Sequence, residues 1–152
     1  MKCYLDSSAL LKRSSVDEPA ATELRSFLEA AHQDGWSLIT SVIGQIEVTR
    51  GVRRMIAAGR ISGADVSASV EAVIGDIQII DMSPAIADEA GAIDGDLLRS
   101  LDAIHLATAR VIGADMVVTY DDRMAQAALQ EGALVAQPGA DAPKLPDGLE
   151  WL

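Results

Sequence analysis

Four carboxylates, Asp6, Glu47, Asp102 and Asp121, each fall where an apolar run ends or a helical pattern begins, although they lie far apart along the chain. Acids at the carboxyl ends of parallel strands converge in the crevice of an open α/β sheet, so this spacing predicts one shared acidic site. Like charges a few Å apart repel and raise one another's pKa, and such a cluster is tolerable mainly when an oxygen-loving cation neutralises it. Mg2+ or Mn2+ is therefore expected. An ion held by carboxylates supplies a nucleophilic water and withdraws charge from a phosphate ester without any histidine. Asp6 and Asp102 are the first-choice ligands; Glu47 and Asp121 complete the shell directly or through water, one of them orienting the attacking water. For any single acid the alternative is a solvated helix cap, and it is the set of four in this order that argues against it.

The elements that must position these acids follow from periodicity. Cys3 to Leu5 reads as a short buried strand, and Ser7-Ser8 offers N-cap chemistry for a helix through Leu11, which puts Asp6 at a strand-to-helix turn. Pro19 opens a helix over Ala20 to Ala31, with Leu24, Phe27, Leu28 and Ala31 in one apolar stripe. Trp36 to Thr40 is a second strand, and Ser41 caps a helix from Val42 to Ala58 that carries Glu47 in its second turn. A helix from a Ser62 cap to Ile74, a strand at Ile77 to Ile80 and a helix start at Ser83-Pro84 continue the alternation. Leu97, Leu101, Ile104, Thr108 and Val111 recur at steps of four and three, a helix with Asp102 in its early turns and Gly113 at its end. Met116 to Thr119 is a nearly continuous apolar strand of the kind buried on both faces of a parallel sheet, and Asp121 and Asp122 follow it. A helix over Arg123 to Gln130, a Gly132 stop, a strand near Ala133 to Ala136 and an irregular tail over 138–152 finish the chain. The expected architecture is a three-layer α/β/α fold with a central, mostly parallel sheet, in one domain spanning 1–152.

The residues themselves resemble a family. Tyr4-Leu5-Asp6-Ser7-Ser8-Ala9-Leu10, Glu47 within Ser41 to Gly51, Leu101-Asp102-Ala103-Ile104-His105-Leu106-Ala107-Thr108-Ala109, and Val118-Thr119-Tyr120-Asp121 are similar to the PIN-domain nucleases, and in order, spacing and length to the VapC toxins of bacterial toxin-antitoxin pairs. The resemblance covers nearly the whole chain, and the segment around Asp102 is its most specific part. It implies a PIN-like fold in which Asp6, Glu47, Asp102 and Asp121 hold Mg2+ or Mn2+. It also implies an RNA substrate cut to leave a 5'-phosphate and a 3'-hydroxyl, a small cognate VapB-like antitoxin, and a homodimer.

Neighbouring groups read more plainly. His105, alone among Leu and Ala, is a packed, hydrogen-bonded residue rather than a ligand. Asp94, Asp96 and Asp122 are rivals for the acidic site, and a one-residue shift would exchange Asp122 for Asp121, which the resemblance favours. Thr119 and Ser8 carry hydroxyls close to the acids. Lys12, Arg13, Arg50, Arg53, Arg54 and Arg60 make up six of the twelve Lys and Arg; they form a solvated helix face or, beside the acids, bind phosphates with salt-sensitive affinity. Left without a fixed counter-charge, the four acids should raise at least one carboxylate pKa by mutual repulsion.

Composition bounds the rest. The chain has 152 residues, 49% of them hydrophobic, enough for one real core. Twelve Lys and Arg against 23 Asp and Glu leave a formal net charge of -11, which disfavours nonspecific adhesion to nucleic acid and suits a basic protein partner. Aromatics at 3% leave little scope for base stacking. Cys3 is the single cysteine, so no intramolecular disulfide forms. No apolar run reaches the roughly 20 residues of a membrane span and the start is no signal peptide, so a cytoplasmic protein is expected. Phospho-acceptor signalling domains and aspartate-nucleophile phosphatases also place an acid after the first strand, and they fit less well: Ser8 stands where the phosphatase pattern wants a second Asp, and the late lysine of a receiver is met only by Lys144. A protein-binding PIN-like module without activity is the third alternative, and the presence of all four acids speaks against it.

Overall fold

The computed structural model describes residues 1–15, 17–61, 65–93 and 98–140. Among these residues five strands, β1 (Lys2–Leu5), β2 (Ser37–Ser41), β3 (Gln78–Ile80), β4 (Met116–Val118) and β5 (Leu134–Ala136), form one sheet in the order β3-β2-β1-β4-β5. Every pairing is parallel, with Tyr4 opposite Ile39 on one side and Val117 on the other. The chain first builds outward from β1 through β2 to β3, then returns to the other side of β1 for β4 and β5. That reversal opens a crevice between the carboxyl ends of β1 and β4, the place where open α/β sheets bind ligands.

Among the described residues seven helices cover the sheet: α1 (Ser7–Ser14), α2 (Ala21–Gln33), α3 (Val42–Ala57), α4 (Val66–Ile74), α5 (Pro84–Ala92), α6 (Ser100–Val111) and α7 (Asp122–Gln130). Strand alternation assigns them to two layers. Cys3, Leu5, Leu38 and Val118 face one core with Leu10, Leu24, Leu28, Val48, Val52 and Val73, from α1 to α4. Tyr4, Ile39 and Val117 face the other with Ala103, Leu106, Met124 and Ala128, from α6 and α7. Each fully buried Leu or Val contributes about 1.5–3 kcal/mol. None of the described helices is long and apolar enough to cross a membrane.

Local chemistry accounts for most boundaries and corrects several expectations. Ser41 and Ser83 cap α3 and α5 with their hydroxyls, and Pro84 occupies the first turn of α5. The cap of α1 is Asp6, whose carboxylate accepts from the Ala9 amide, in place of Ser7 or Ser8. Pro19 lies in the turn before α2, which starts at Ala21 after Ala20 turns into the left-handed region at φ 66°. Asp65 caps α4; the expected Ser62 cap lies outside the described residues, as do Asp94, Asp96, Leu97 and nearly all of the 138–152 tail.

Two glycines let α3 approach its neighbours. A Cβ at Gly44 would collide with the Thr40 hydroxyl, and one at Gly51 with Leu11. Thr40 has little freedom to give way, because its hydroxyl donates to the Leu5 carbonyl at 2.7 Å. Replacing a helical Gly by Ala gains up to about 1 kcal/mol of helix propensity. Overpacking a tight contact costs about 1–3 kcal/mol. We therefore expect Gly44→Ala to lower the urea midpoint without changing the slope; a raised midpoint would show that propensity outweighs the collision.

Candidate active site

The four acids reach the carboxyl edge of the sheet by four routes. Asp6 leaves β1 and caps α1; Asp121 follows β4 and caps α7, accepting from the Arg123 and Met124 amides at 2.9 and 3.0 Å. Asp102 lies in the first turn of α6, where its carboxylate accepts from the Arg99 amide at 3.3 Å. Glu47 arrives from α3. Glu47, Asp102 and Asp121 line a single pocket of about 520 Å³ together with Arg99, Ser100, Leu101 and Arg123. Asp121 and Asp122 are both exposed, and of the two Asp121 lines this pocket.

Asp6 differs from the other three. It is 4% exposed and is not part of the pocket lining. Its Oδ1 accepts from the Ser8 hydroxyl at 2.7 Å and the Ala9 amide at 3.0 Å, and its Oδ2 from the Thr119 hydroxyl at 2.6 Å. The same two hydroxyls accept from the backbone amides of Tyr120 and Asp121, so they stitch the end of β1 to the turn after β4. Burial pushes the Asp6 pKa above the ordinary carboxylate value, and the hydrogen bonds from Ser8, Thr119 and Ala9 oppose that rise. The expected rise of one carboxylate pKa is thus found, but its leading cause is desolvation rather than repulsion among the acids.

Glu47 shifts the other way. The His105 Nε2 hydrogen bond at 2.9 Å holds its carboxyl below the usual value, partial burial opposes this, and the Ser7 hydroxyl adds to the lowering. His105 is 2% exposed, and its Nδ1 meets the Tyr4 hydroxyl at 2.7 Å, the two rings edge-on. It is the packed, hydrogen-bonded residue expected, with Glu47 as an unforeseen partner.

The basic residues divide between structure and site. Arg13 forms a two-pronged pair with Asp76 and donates to the Val73 carbonyl, and Lys12 lies over the Tyr120 ring while reaching Glu18. Arg50 and Arg54 line a neighbouring groove of about 440 Å³ with Leu11, Ile43 and Ile46; Glu47 forms the wall that this groove shares with the acidic pocket. Arg99 and Arg123, which sequence reasoning passed over, line the acidic pocket itself. The signal was their spacing, three residues before Asp102 and two after Asp121.

The donor set tests which cation fits. Only oxygen ligands face the pocket, which suits a hard divalent ion. Among the described residues no three His, Cys, Asp or Glu side chains close around one point. Mg2+ retains several waters and uses one or two carboxylates, so three acids spread over one pocket fit a hydrated ion better than a closed protein cage.

The PIN-domain family model matches residues 3–129. The chain belongs to the PIN-domain family, and its relatives within that family are VapC proteins. It is 35% identical over 139 residues to Ribonuclease VapC47 of Mycobacterium tuberculosis strain CDC 1551, covering 90% of this chain and 97% of that protein. It is 36% identical over 137 residues to Ribonuclease VapC46 of strain H37Rv, covering 89% and 96%. The fold matches VapBC2 of Rickettsia felis, solved bound to a promoter DNA fragment, with a TM-score of 0.67 at 14% identity over 90% of this chain and 98% of that one. It also matches Mycobacterium tuberculosis VapC20, a sarcin-ricin loop cleaving toxin, with a TM-score of 0.64 at 12% identity over 90% and 99%.

The raised pKa of Asp6 sets a pH dependence. Because the folded-state value lies above the unfolded one, its stabilising contribution is present below the unfolded value and is lost as pH rises through the raised one. In chelator, the melting temperature of wild type should therefore fall relative to Asp6→Asn as pH rises from mildly acidic through that range. A difference between the two proteins that does not change with pH would contradict this.

Proposed function

We propose that the chain is a metal-dependent endoribonuclease, the toxin of a toxin-antitoxin pair, that hydrolyses RNA phosphodiester bonds with Mg2+ or Mn2+ held by Asp102, Asp121 and Glu47 and supported by Asp6. The observation that carries it is the pocket lined by three acids, from α3, from α6 and from the cap of α7, together with two arginines. The names of the VapC relatives support the same reading.

Asp102, Asp121 and Glu47 would hold the divalent ion, which would supply a nucleophilic water near neutral pH and charge withdrawal from the scissile phosphate. His105 holds Glu47 at Oε2, so the carboxylate is fixed in place to accept a hydrogen bond from the attacking water and set its direction. The depressed pKa keeps Glu47 ionised for that task. Arg99 and Arg123 hold the phosphates of the RNA by two-pronged contacts beside the acids. Asp6 fastens the edges of the crevice to one another through Ser8 and Thr119. An aspartyl-phosphate mechanism at Asp6 fits poorly, since both its oxygens are engaged and it is 4% exposed.

The partner reading rests on the groove beside Glu47. Ile46 and Leu101 at its edge are 49% and 45% exposed, an apolar pair that a short amphipathic antitoxin helix would cover. From there a basic side chain of the antitoxin would reach Glu47 across the shared wall and occupy the place of the cation. Assembly as a homodimer completes the proposal.

Asp102→Asn should reduce kcat for RNA cleavage at least about 100-fold, roughly 2.7 kcal/mol of transition-state stabilisation, with the fold retained. Chelator should abolish wild-type cleavage and Mn2+ restore it. Undiminished cleavage by the variant or in chelator would overturn the assignment. Arg99→Ala and Arg123→Ala should each weaken RNA binding and flatten the plot of log affinity against log salt by about 0.7, whereas an unchanged slope would remove that arginine from the phosphate contacts.

A further inference from the structure

Three elements bring Tyr4, His105 and Glu47 into one line. Tyr4 comes from β1 with no exposed surface, His105 from α6 at 2% exposure, and Glu47 from α3 with 28% of its side chain exposed toward the pocket. The Tyr4 hydroxyl lies 2.7 Å from Nδ1 and the Glu47 Oε2 lies 2.9 Å from Nε2. A charged or hydrogen-bonding chain that begins in the core and ends at a carboxylate on the pocket wall is more than packing needs, since an aliphatic side chain would fill the same volume without buried polar atoms to satisfy.

Proton bookkeeping fixes the direction of the chain. A carboxylate only accepts, so the contact at Nε2 exists when Nε2 carries the proton. Nδ1 of the neutral ring then has a lone pair, which the Tyr4 hydroxyl satisfies as donor. The opposite tautomer would set a bare Nε2 against the Glu47 oxygen at 2.9 Å and turn attraction into lone-pair repulsion. Three hydroxyls flank that of Tyr4: Thr40 donates to the Leu5 carbonyl and Thr108 to the Ile104 carbonyl, each at 2.7 Å, and Ser41, which accepts from the Gly44 amide at 3.2 Å, has its own proton to give the Tyr4 oxygen, so the Tyr4 proton goes to Nδ1.

We propose that His105 is a positioning residue for the nuclease reaction, locked by the Tyr4 hydroxyl in the form that donates from Nε2 and thereby holding the Glu47 carboxylate at the pocket wall. The proposal rests on the reading of Glu47 as part of a nuclease site. Partners behind a ligand of this kind usually change affinity or activity about 10- to 100-fold when removed. Gly44 belongs to the same device, since a Cβ there would stand 3.4 Å from the His105 ring as well as against Thr40.

The test combines NMR of the full chain carrying 15N-labelled histidine with cleavage kinetics in saturating Mn2+. Only His32 and His105 contribute signals, so the assignment needs one variant. At mildly alkaline pH, wild type should show His105 protonated at Nε2 and bare at Nδ1. Tyr4→Phe, which keeps the ring and its packing, should let both tautomers appear and lower kcat several-fold with KM unchanged. His105→Ala should lower kcat about 10- to 100-fold, and His105→Gln, whose amide can still donate to Glu47, should recover part of that loss. A wild-type ring protonated at Nδ1, or a Tyr4→Phe protein with the same tautomer and the same kcat, would overturn the proposal, as would a His105→Gln no better than His105→Ala. Wild type that shows the Nε2–H signature yet cleaves no RNA would sink the reading of function while supporting the Tyr4–His105–Glu47 chain.

Discussion

A buried carboxylate at the point where the strand order reverses organises this molecule. Asp6 ends the central strand and caps α1, and its two oxygens draw in Ser8, Ala9 and Thr119. An ionised carboxyl with 4% exposure is costly unless donors surround it. Here the donors come from both sides of the crevice, so satisfying one charge also fixes the separation of the β1 and β4 ends. Ser8 and Thr119 then pass the constraint to the amides of Tyr120 and Asp121, and through them to the start of α7. Removing Asp6 would loosen the frame on which Asp121 stands.

The environments of Asp6 and Glu47 show how one site gives two acids different roles. Desolvation raises the first and hydrogen bonding from His105 lowers the second. Asp6 lies buried among its donors at the end of β1, whereas Glu47 faces the pocket alongside Asp102 and Asp121. Arg99 and Arg123 give the same pocket a positive side within a chain of net charge -11.

Much of this was legible in the residues because it is local. The alternation of short apolar runs with helical stripes, the Ser41 and Ser83 caps and the glycine stops depend on neighbours within a turn, and the three acids that share the pocket were read from their place at element ends. What the sequence hid is non-local. Asp6 rather than Ser8 caps α1 with Oδ1, while the Thr119 hydroxyl, 113 residues away, engages its Oδ2. That His105 reaches Glu47 rather than Asp102, three residues before it on α6, depends on the Gly44 gap that lets α3 lie close. Lys12 and Arg13, read as members of a basic stripe, are taken up by Glu18, Tyr120 and Asp76, whereas Arg99 and Arg123 become site residues only once α6 and α7 are set side by side.

The central claim is that acids from separate elements form one cation site at the switch of the sheet. Crystals grown with Mn2+ and measured at an X-ray energy where manganese scatters anomalously test it most directly, because the signal reports the position of the ion without reference to activity. The account predicts an anomalous peak inside the pocket bounded by Glu47, Asp102 and Asp121, and its loss in Asp102→Asn crystals grown the same way. A peak elsewhere on the protein with that pocket empty, or one that persists undiminished in the variant, would contradict it.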